Sequence, residues 1–411
     1  MHPRFTRRLA PLICAALFVG LAAAGCSDNE TAAGEPHTAT PIPAPTERPR
    51  FDPTTVAALE AADDSIPRRD QPYTYAALPA GYRLETVAAG LTQPAAFDGA
   101  ADGRIFVVEQ FSGVVRVIEN GVVRADPFFT VPDLHIEAQR GFVSELGLVG
   151  LTVEPGSSPV SLLLYYSAAS ASGERSTKLV RVRDENGRGI LGETLVEFPL
   201  ESGCCHIGGG LTWLADGTLL VGVGDHEQAE LAQSLSSPAG KVLRITREGV
   251  PPADNPFVGN AWAEQRMFAM GLRNPFGVAA DPQSGAMYVL DNGEIGFDRV
   301  YELRAKGNYG WPASEVHESA ETETALETYQ ESLGLASAVV YRGPLAAFDG
   351  DLFFCQFHRG GALHWFPISD DPLDVDRILT GGCSSAIRVL PDGWLYFVDY
   401  FEGTMYRIAS G

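Results

Sequence analysis

From Gly81 to Ile408 the chain consists of short apolar runs separated by glycine turns. Along many of them apolar and polar residues alternate with the period of two that a strand buried on one face requires. One unit recurs: a Gly or Asp-Gly turn, a strand rich in Val, Leu and aromatic residues, a second turn and a second strand. Clear first strands are Ile105-Phe106-Val107-Val108 after Asp102-Gly103, Leu219-Leu220-Val221 after Asp216-Gly217, and Met287-Tyr288-Val289-Leu290 after Gly285. Leu352-Phe353-Phe354 after Gly350-Asp351 and Leu395-Tyr396-Phe397-Val398 after Asp392-Gly393 continue the series, and Val160-Ser161-Leu162-Leu163-Leu164-Tyr165-Tyr166 is a weaker copy. Second strands include Val114-Val115-Arg116-Val117-Ile118 and Thr404-Met405-Tyr406-Arg407-Ile408.

The six anchors, near residues 103, 158, 217, 285, 350 and 393, lie 55, 59, 68, 65 and 43 residues apart, room for one four-stranded blade each plus variable loops. This spacing predicts an all-β fold, a six-bladed β-propeller over residues 76–411. A β-sandwich would use the same strand composition but has no need of six regular units. The early strand Tyr82-Arg83-Leu84-Glu85-Thr86-Val87 is expected to pair into the last blade and close the ring.

The first 75 residues follow no such pattern. Arg4, Arg7 and Arg8 precede an apolar run from Leu9 to Gly25, too short for a comfortable membrane span and suited to a signal peptide over residues 1–25. Small residues Ala22-Ala23-Ala24-Gly25 lead to Cys26, a lipobox-like ending that predicts lipidation at Cys26, with plain signal cleavage as the alternative. Residues 26–75, rich in Thr, Ala and Pro, read as a disordered tether. The expected product is exported and anchored in a membrane by lipid, periplasmic or at the cell surface.

Composition narrows the picture further. With 45% hydrophobic residues, 20% charged residues, 44 Gly and 28 Pro in 411, the chain is neither disordered nor a coiled coil. The net charge is −22, and loss of the three arginines in residues 1–25 takes it to −25. A surface this acidic repels phosphate backbones and speaks against a nucleic-acid partner. Beyond Cys14 and Cys26 four cysteines remain, Cys204, Cys205, Cys355 and Cys383, which in an oxidising compartment predicts two disulfides with three possible connectivities. Joining the adjacent Cys204 and Cys205 would close an eight-membered ring just before His206 and leave Cys355 and Cys383 to bridge the last two blades. A distant partner for Cys204 or Cys205 fits the sequence equally.

In a propeller the loops between blades line the mouth of a central channel, so functional residues come from equivalent points on several blades. Four segments meet that condition: Cys204-Cys205-His206-Ile207-Gly208-Gly209-Gly210, Gly222-Val223-Gly224-Asp225-His226, Gly271-Leu272-Arg273-Asn274-Pro275-Phe276-Gly277, and Asp291-Asn292-Gly293-Glu294-Ile295-Gly296-Phe297-Asp298. The small residues around His206 allow close approach of a ligand. Other readings remain open: Arg273-Asn274-Pro275 as an inter-blade turn, Asp225 as an acceptor for turn amides, and Asp298 as a surface partner of Arg299 or Arg304. His226, His358 and His364 lack zinc-binding spacing.

These segments, with Lys241-Val242-Leu243-Arg244-Ile245, Gly307-Asn308-Tyr309-Gly310-Trp311-Pro312, Glu145-Leu146-Gly147-Leu148-Val149-Gly150-Leu151 and Arg359-Gly360-Gly361-Ala362-Leu363, resemble the soluble aldose and sorbosone dehydrogenases that use pyrroloquinoline quinone. The resemblance runs from about Gly81 to Ile408 and implies the following roles. His206 is the base that takes the anomeric hydroxyl proton, and Asp225 is the carboxylate beside it. Arg273 and Asn274 lie at the quinone oxygens, Arg359 matches a family lysine that holds the cofactor, and Glu145 matches a position near the sugar. The carbonyls of Gly293 and Glu294, with Asp298 beside them, match a calcium site, and oxygen ligands suit that ion.

One departure stands out. The family's two cofactor-clamping arginines align with Cys383 and Ser385, and Arg388 is nearby but out of register. Against a cofactor with three carboxylates, two lost charge-assisted bonds remove roughly 3 to 6 kcal/mol. Three functions are therefore expected, in descending order. The first is a quinoprotein dehydrogenase oxidising a sugar C1 hydroxyl to a lactone and passing electrons to a periplasmic acceptor. The second is a non-catalytic extracytoplasmic propeller that binds a carbohydrate or protein, and the third is a calcium-dependent lactonase.

Overall fold

The computed structural model describes residues 76–137, 144–200, 204–294, 296–313, 322–368 and 376–411. The expected signal peptide, Cys26 and the expected tether lie outside these. Six antiparallel sheets form the described part, with short 3-10 turns and no α-helix among the described residues.

Each sheet is a blade whose strands are mostly consecutive in the chain. Blade 1 begins with Pro94–Gly99 and blade 2 with Leu148–Val153; blades 3, 4 and 5 begin with Leu211–Trp213, Gly277–Ala280 and Leu335–Val340. Blade 6 combines Ile387–Val389, Leu395–Asp399 and Thr404–Ser410 with the early strand Tyr82–Ala89. That strand runs antiparallel to the last one, Tyr82 opposite Ser410 and Ala89 opposite Thr404, as expected. The first strands of the six blades touch in cyclic order, and the first and sixth meet. The ring is closed.

Packing follows from the period of two. In Ile105–Glu109, Phe106 and Val108 pack toward blade 2 against Leu162, Leu164, Val180 and Val182, while Ile105 and Val107 pack toward blade 6 against Val398 and Met405. Strands buried on both faces read as continuous apolar runs, as in Leu219–Val223. Six apolar clusters result, each filling the wedge between two neighbouring blades. At about 1.5–3 kcal/mol for each fully buried large apolar side chain, these wedges dominate the stability.

The recurring turns in the sequence mark the entry to each blade's second strand. Some first strands, such as Gly277–Ala280, are made of small residues where they crowd around the axis. A Cβ on Gly277 would come within 2.7 Å of the Ala336 carbonyl oxygen on the next blade, and one on Gly150 within 2.9 Å of the Gly209 oxygen. Only glycine lets these inner strands approach so closely.

Candidate active site

A cavity of about 690 Å³ opens on one end of the ring, lined by inter-blade connections and by turns between second and third strands. His206 lies on the connection from blade 2 to blade 3, in a left-handed conformation with φ +56°. Its turn presses on the turn at Gly222–His226, where a side chain on Gly224 would strike the His206 carbonyl. The glycines around His206 thus bring two blades' turns into contact.

The His206 ring is held by Asp225, whose Oδ1 is 2.7 Å from Nδ1. Asp225 is 1% exposed. Its Oδ1 also accepts the Glu227 amide at 2.8 Å and its Oδ2 accepts Trp311 Nε1 at 2.8 Å. The carboxylate therefore orients the imidazole and caps a turn at once. With Nδ1 facing Asp225, the other ring nitrogen of His206 has no partner among the described residues, and the residue lines the cavity. The neighbouring His226 is buried, and burial pushes its imidazole down to about 4.

Glu145 supports the same turn from the connection between blades 1 and 2. Its Oε2 accepts the His206 amide at 2.6 Å, and both oxygens accept Asn274 Nδ2 at 3.0 and 3.1 Å. Asn274, 2% exposed, uses its side-chain oxygen to accept the Gly208 amide at 3.2 Å. Both side chains touch the cavity, but their polar atoms are engaged in fixing the His206 loop. Arg273 reaches the cavity with Nη1 donating to the Asn292 carbonyl at 3.2 Å, and Asp291 accepts the Arg273 and Asn274 amides at 2.7 to 3.0 Å.

Gly293 and Glu294 line the cavity as well. Asp298, fully buried, is turned into the loop: Oδ1 accepts the Gly293 amide at 2.9 Å, and Oδ2 accepts those of Leu333 and Gly334 at 2.7 and 2.9 Å. Burial pushes its carboxyl up from the ordinary value. Asp298 shapes the loop that carries Gly293 and Glu294 to the cavity, and neither Arg299 nor Arg304 takes part in these bonds. Among the described residues, the side-chain atoms gathered at metal-binding separation belong to Cys204, Cys205 and Glu227. Cys204 and Cys205 are joined as a disulfide, so no thiolate is available there.

The opposite wall carries less charge. Arg359, at φ +59°, pairs with Glu331 across the rim. Cys383 is buried in a disulfide with Cys355, and Ser385 Oγ donates to the Pro94 carbonyl at 2.5 Å. Arg388 does not replace the missing arginines. It lies beneath the cavity along the axis, donating to Ser337 Oγ at 3.0 Å and the Leu211 carbonyl at 3.2 Å beside a void of about 20 Å³.

The glucose / sorbosone dehydrogenase family model matches residues 91–407. The chain belongs to that family. It is 25% identical over 355 residues to the aldose sugar dehydrogenase YliI of Escherichia coli K12, covering 81% of this chain and 94% of that protein. A solved oxidoreductase from Thermus thermophilus, described as a glucose dehydrogenase, is 27% identical with TM-score 0.67 over 80% of this chain and all of that one. The pyrroloquinoline quinone-bound aldose sugar dehydrogenase of Streptomyces coelicolor, 21% identical with TM-score 0.65 over 81% of this chain and all of that one, shares the fold. The protein is thus a six-bladed propeller of the glucose / sorbosone dehydrogenase family.

Within this dehydrogenase-family domain, the fold brings His206, Glu145, Arg273, Asn274, Gly293, Glu294 and Arg359 to one cavity, with Asp225 directly behind His206 and Asp298 behind Gly293. Sequence reasoning gave no site role to Glu227, Glu331, Asn292, Trp311 or Tyr400. Of these, Asn292 and Trp311 carried a signal, each as part of a segment resembling the family.

Proposed function

We propose that the protein is a quinoprotein sugar dehydrogenase that oxidises the C1 hydroxyl of an aldose to a lactone. One observation carries the reading. A histidine on the cavity wall is clamped at Nδ1 by a buried carboxylate and keeps Nε2 for a substrate hydroxyl.

The donor set suits pyrroloquinoline quinone and calcium. Arg273 and Arg359 supply two guanidinium groups, the Gly293 and Glu294 carbonyls supply hard oxygens, and Asn292 keeps a side-chain oxygen without a partner among the described residues. The volume suits a cofactor and a sugar together. When bound, the quinone supplies the two-electron acceptor for the hydride leaving C1. His206 Nε2 receives the hydroxyl proton, and Asp225 stabilises the imidazolium that forms. Glu145 holds the His206 main chain and is itself held by Asn274, so the base needs no rearrangement as the proton moves. Arg273 offers positive charge to developing negative charge on the cavity side of its loop.

The test is to strip metal from the protein, add calcium and pyrroloquinoline quinone, and follow aldose-dependent reduction of a dye. Turnover that falls about a hundred- to ten-thousandfold in His206→Ala supports the reading. Absence of quinone binding and of turnover with every aldose sinks it. The result would then favour a sugar-binding propeller without the cofactor, a reading that the uncharged Cys383 and Ser385 support.

Export and lipid anchoring at Cys26 are proposed alongside, with a periplasmic electron acceptor. Two disulfides support an oxidising compartment. Fatty-acid labelling that survives in Cys26→Ser would exclude the anchor.

A further inference from the structure

The segment Gly307-Asn308-Tyr309-Gly310-Trp311-Pro312 belongs in sequence to blade 4, between Asp298–Glu302 and Glu327–Tyr329, yet it runs along blade 3. Asn308 forms a parallel bridge to Met270, the last residue of blade 3's outer strand. Met270 donates its amide to the Gly307 carbonyl, Tyr309 to that of Met270 and Trp311 to that of Gly271. Gln233 Nε2 ties the segment down, donating to Asn308 Oδ1 at 3.0 Å and to the Trp311 carbonyl at 2.7 Å. The route ends beside the cavity wall with Trp311 buried. Its Nε1 donates to Asp225 Oδ2 at 2.8 Å, and the Arg273 guanidinium carbon lies 5.6 Å from the centre of its ring.

We propose that Trp311 is a positioning residue of the dehydrogenase site, its indole edge fixing the carboxylate that holds His206 and its face seating Arg273. The role rests on the reading of His206 as the base. A carboxylate can rotate about its last bond, and the two donors on Oδ1 restrain that rotation from one side only. The indole N–H is the donor to Oδ2 among the described residues, and it fixes the plane in which Oδ1 meets the imidazole. Without it a buried oxygen loses its partner and the carboxylate is held at one oxygen only. The same ring attracts Arg273 through its face, so one side chain sets the spacing between the base and the cation on the cofactor side.

Trp311→Phe keeps the ring face and deletes the N–H. In protein loaded with calcium and pyrroloquinoline quinone, kcat should fall roughly ten- to a hundredfold with the sugar KM nearly unchanged. Trp311→Leu should in addition weaken quinone binding. If Trp311 acts through Asp225, the double variant Asp225→Asn/Trp311→Phe should be no slower than Asp225→Asn alone. A second readout needs neither quinone nor turnover. The far-downfield proton of the His206 Nδ1–H, identified by its loss in His206→Gln, should move in Trp311→Phe. Should that variant fail to fold, the indole N–H resonance of Trp311 in Asp225→Asn serves instead and should shift. An unmoved resonance, or effects of the two substitutions that add, would overturn the proposal. A moved resonance in a protein inert toward every sugar would support the positioning role while removing the dehydrogenase reading.

Discussion

The two walls of the cavity are built differently. On the side formed by blades 2, 3 and 4, His206 is held by Asp225 at the ring and Glu145 at the main chain, and each of those is held in turn by Trp311, Glu227 or Asn274. On the side formed by blades 5 and 6, Arg359 has one ion-pair partner among the described residues, Glu331, half-open to solvent, and the positions aligned with two family arginines end in a disulfide and a hydroxyl. One wall fixes an atom in place by redundant bonds. The other offers charge on a side chain still able to change partners. A base must be aligned before its substrate arrives, whereas a cation that grips a carboxylate can close on it afterwards.

Replacing Asp225 by Asn should test the rigid wall most severely. The ring of His206 would keep a neighbour of the same shape but lose the charge that stabilises its protonated form. Turnover should fall on the order of a thousandfold in steady-state assays at saturating quinone. A drop below tenfold would show that the wall is over-built for its task.

Stability against acid comes next in size. His226 donates its amide to the His206 carbonyl and is buried with its imidazole pushed down to about 4. Between pH 6.5 and about 4 the unfolded chain binds a proton at this residue and the folded one does not. The unfolding free energy should therefore decline as pH falls through that window, by up to about 3 kcal/mol from this group. His226→Asn, which suits the left-handed backbone there, should flatten that part of the profile measured by denaturant unfolding at pH 7 and pH 4.5.

The smallest effect belongs to the adaptable wall. Glu331→Gln releases Arg359 from an exposed pair, and the quinone dissociation constant should drop roughly two- to fivefold in a direct titration. Weaker binding in this variant would mean that Glu331 presents Arg359 to the cofactor instead of competing for it.

Much of the ring was legible because its signals are local. Asp-Gly turns such as Asp216-Gly217 and Asp392-Gly393 precede strands whose residues fill two wedges at once, and six such units leave little choice of architecture. First strands such as Gly277–Ala280 were harder to see, since the axis there demands small residues that leave no strong apolar mark. His206 and Asp225 stood out by their glycine-rich surroundings. The engagement of Glu145 and Asn274 with each other did not, because 129 residues separate them and no spacing rule spans that distance. Trp311 was visible as a motif but not as a neighbour of Asp225, 86 residues away, since nothing local says that a blade 4 segment runs beside blade 3.

The pairing of Tyr82–Ala89 with Thr404–Ser410 has a consequence for biosynthesis. A nascent chain exposes Tyr82–Ala89 long before Thr404–Ser410 is made, so it carries an unsatisfied strand edge while the intervening blades are translated. Removal of the seven-residue strand Thr404–Ser410 would therefore unlatch the ring at its seam, next to the blade 6 turn that brings Tyr400 to the cavity, and expose Ala88 and its neighbours to chaperones and proteases.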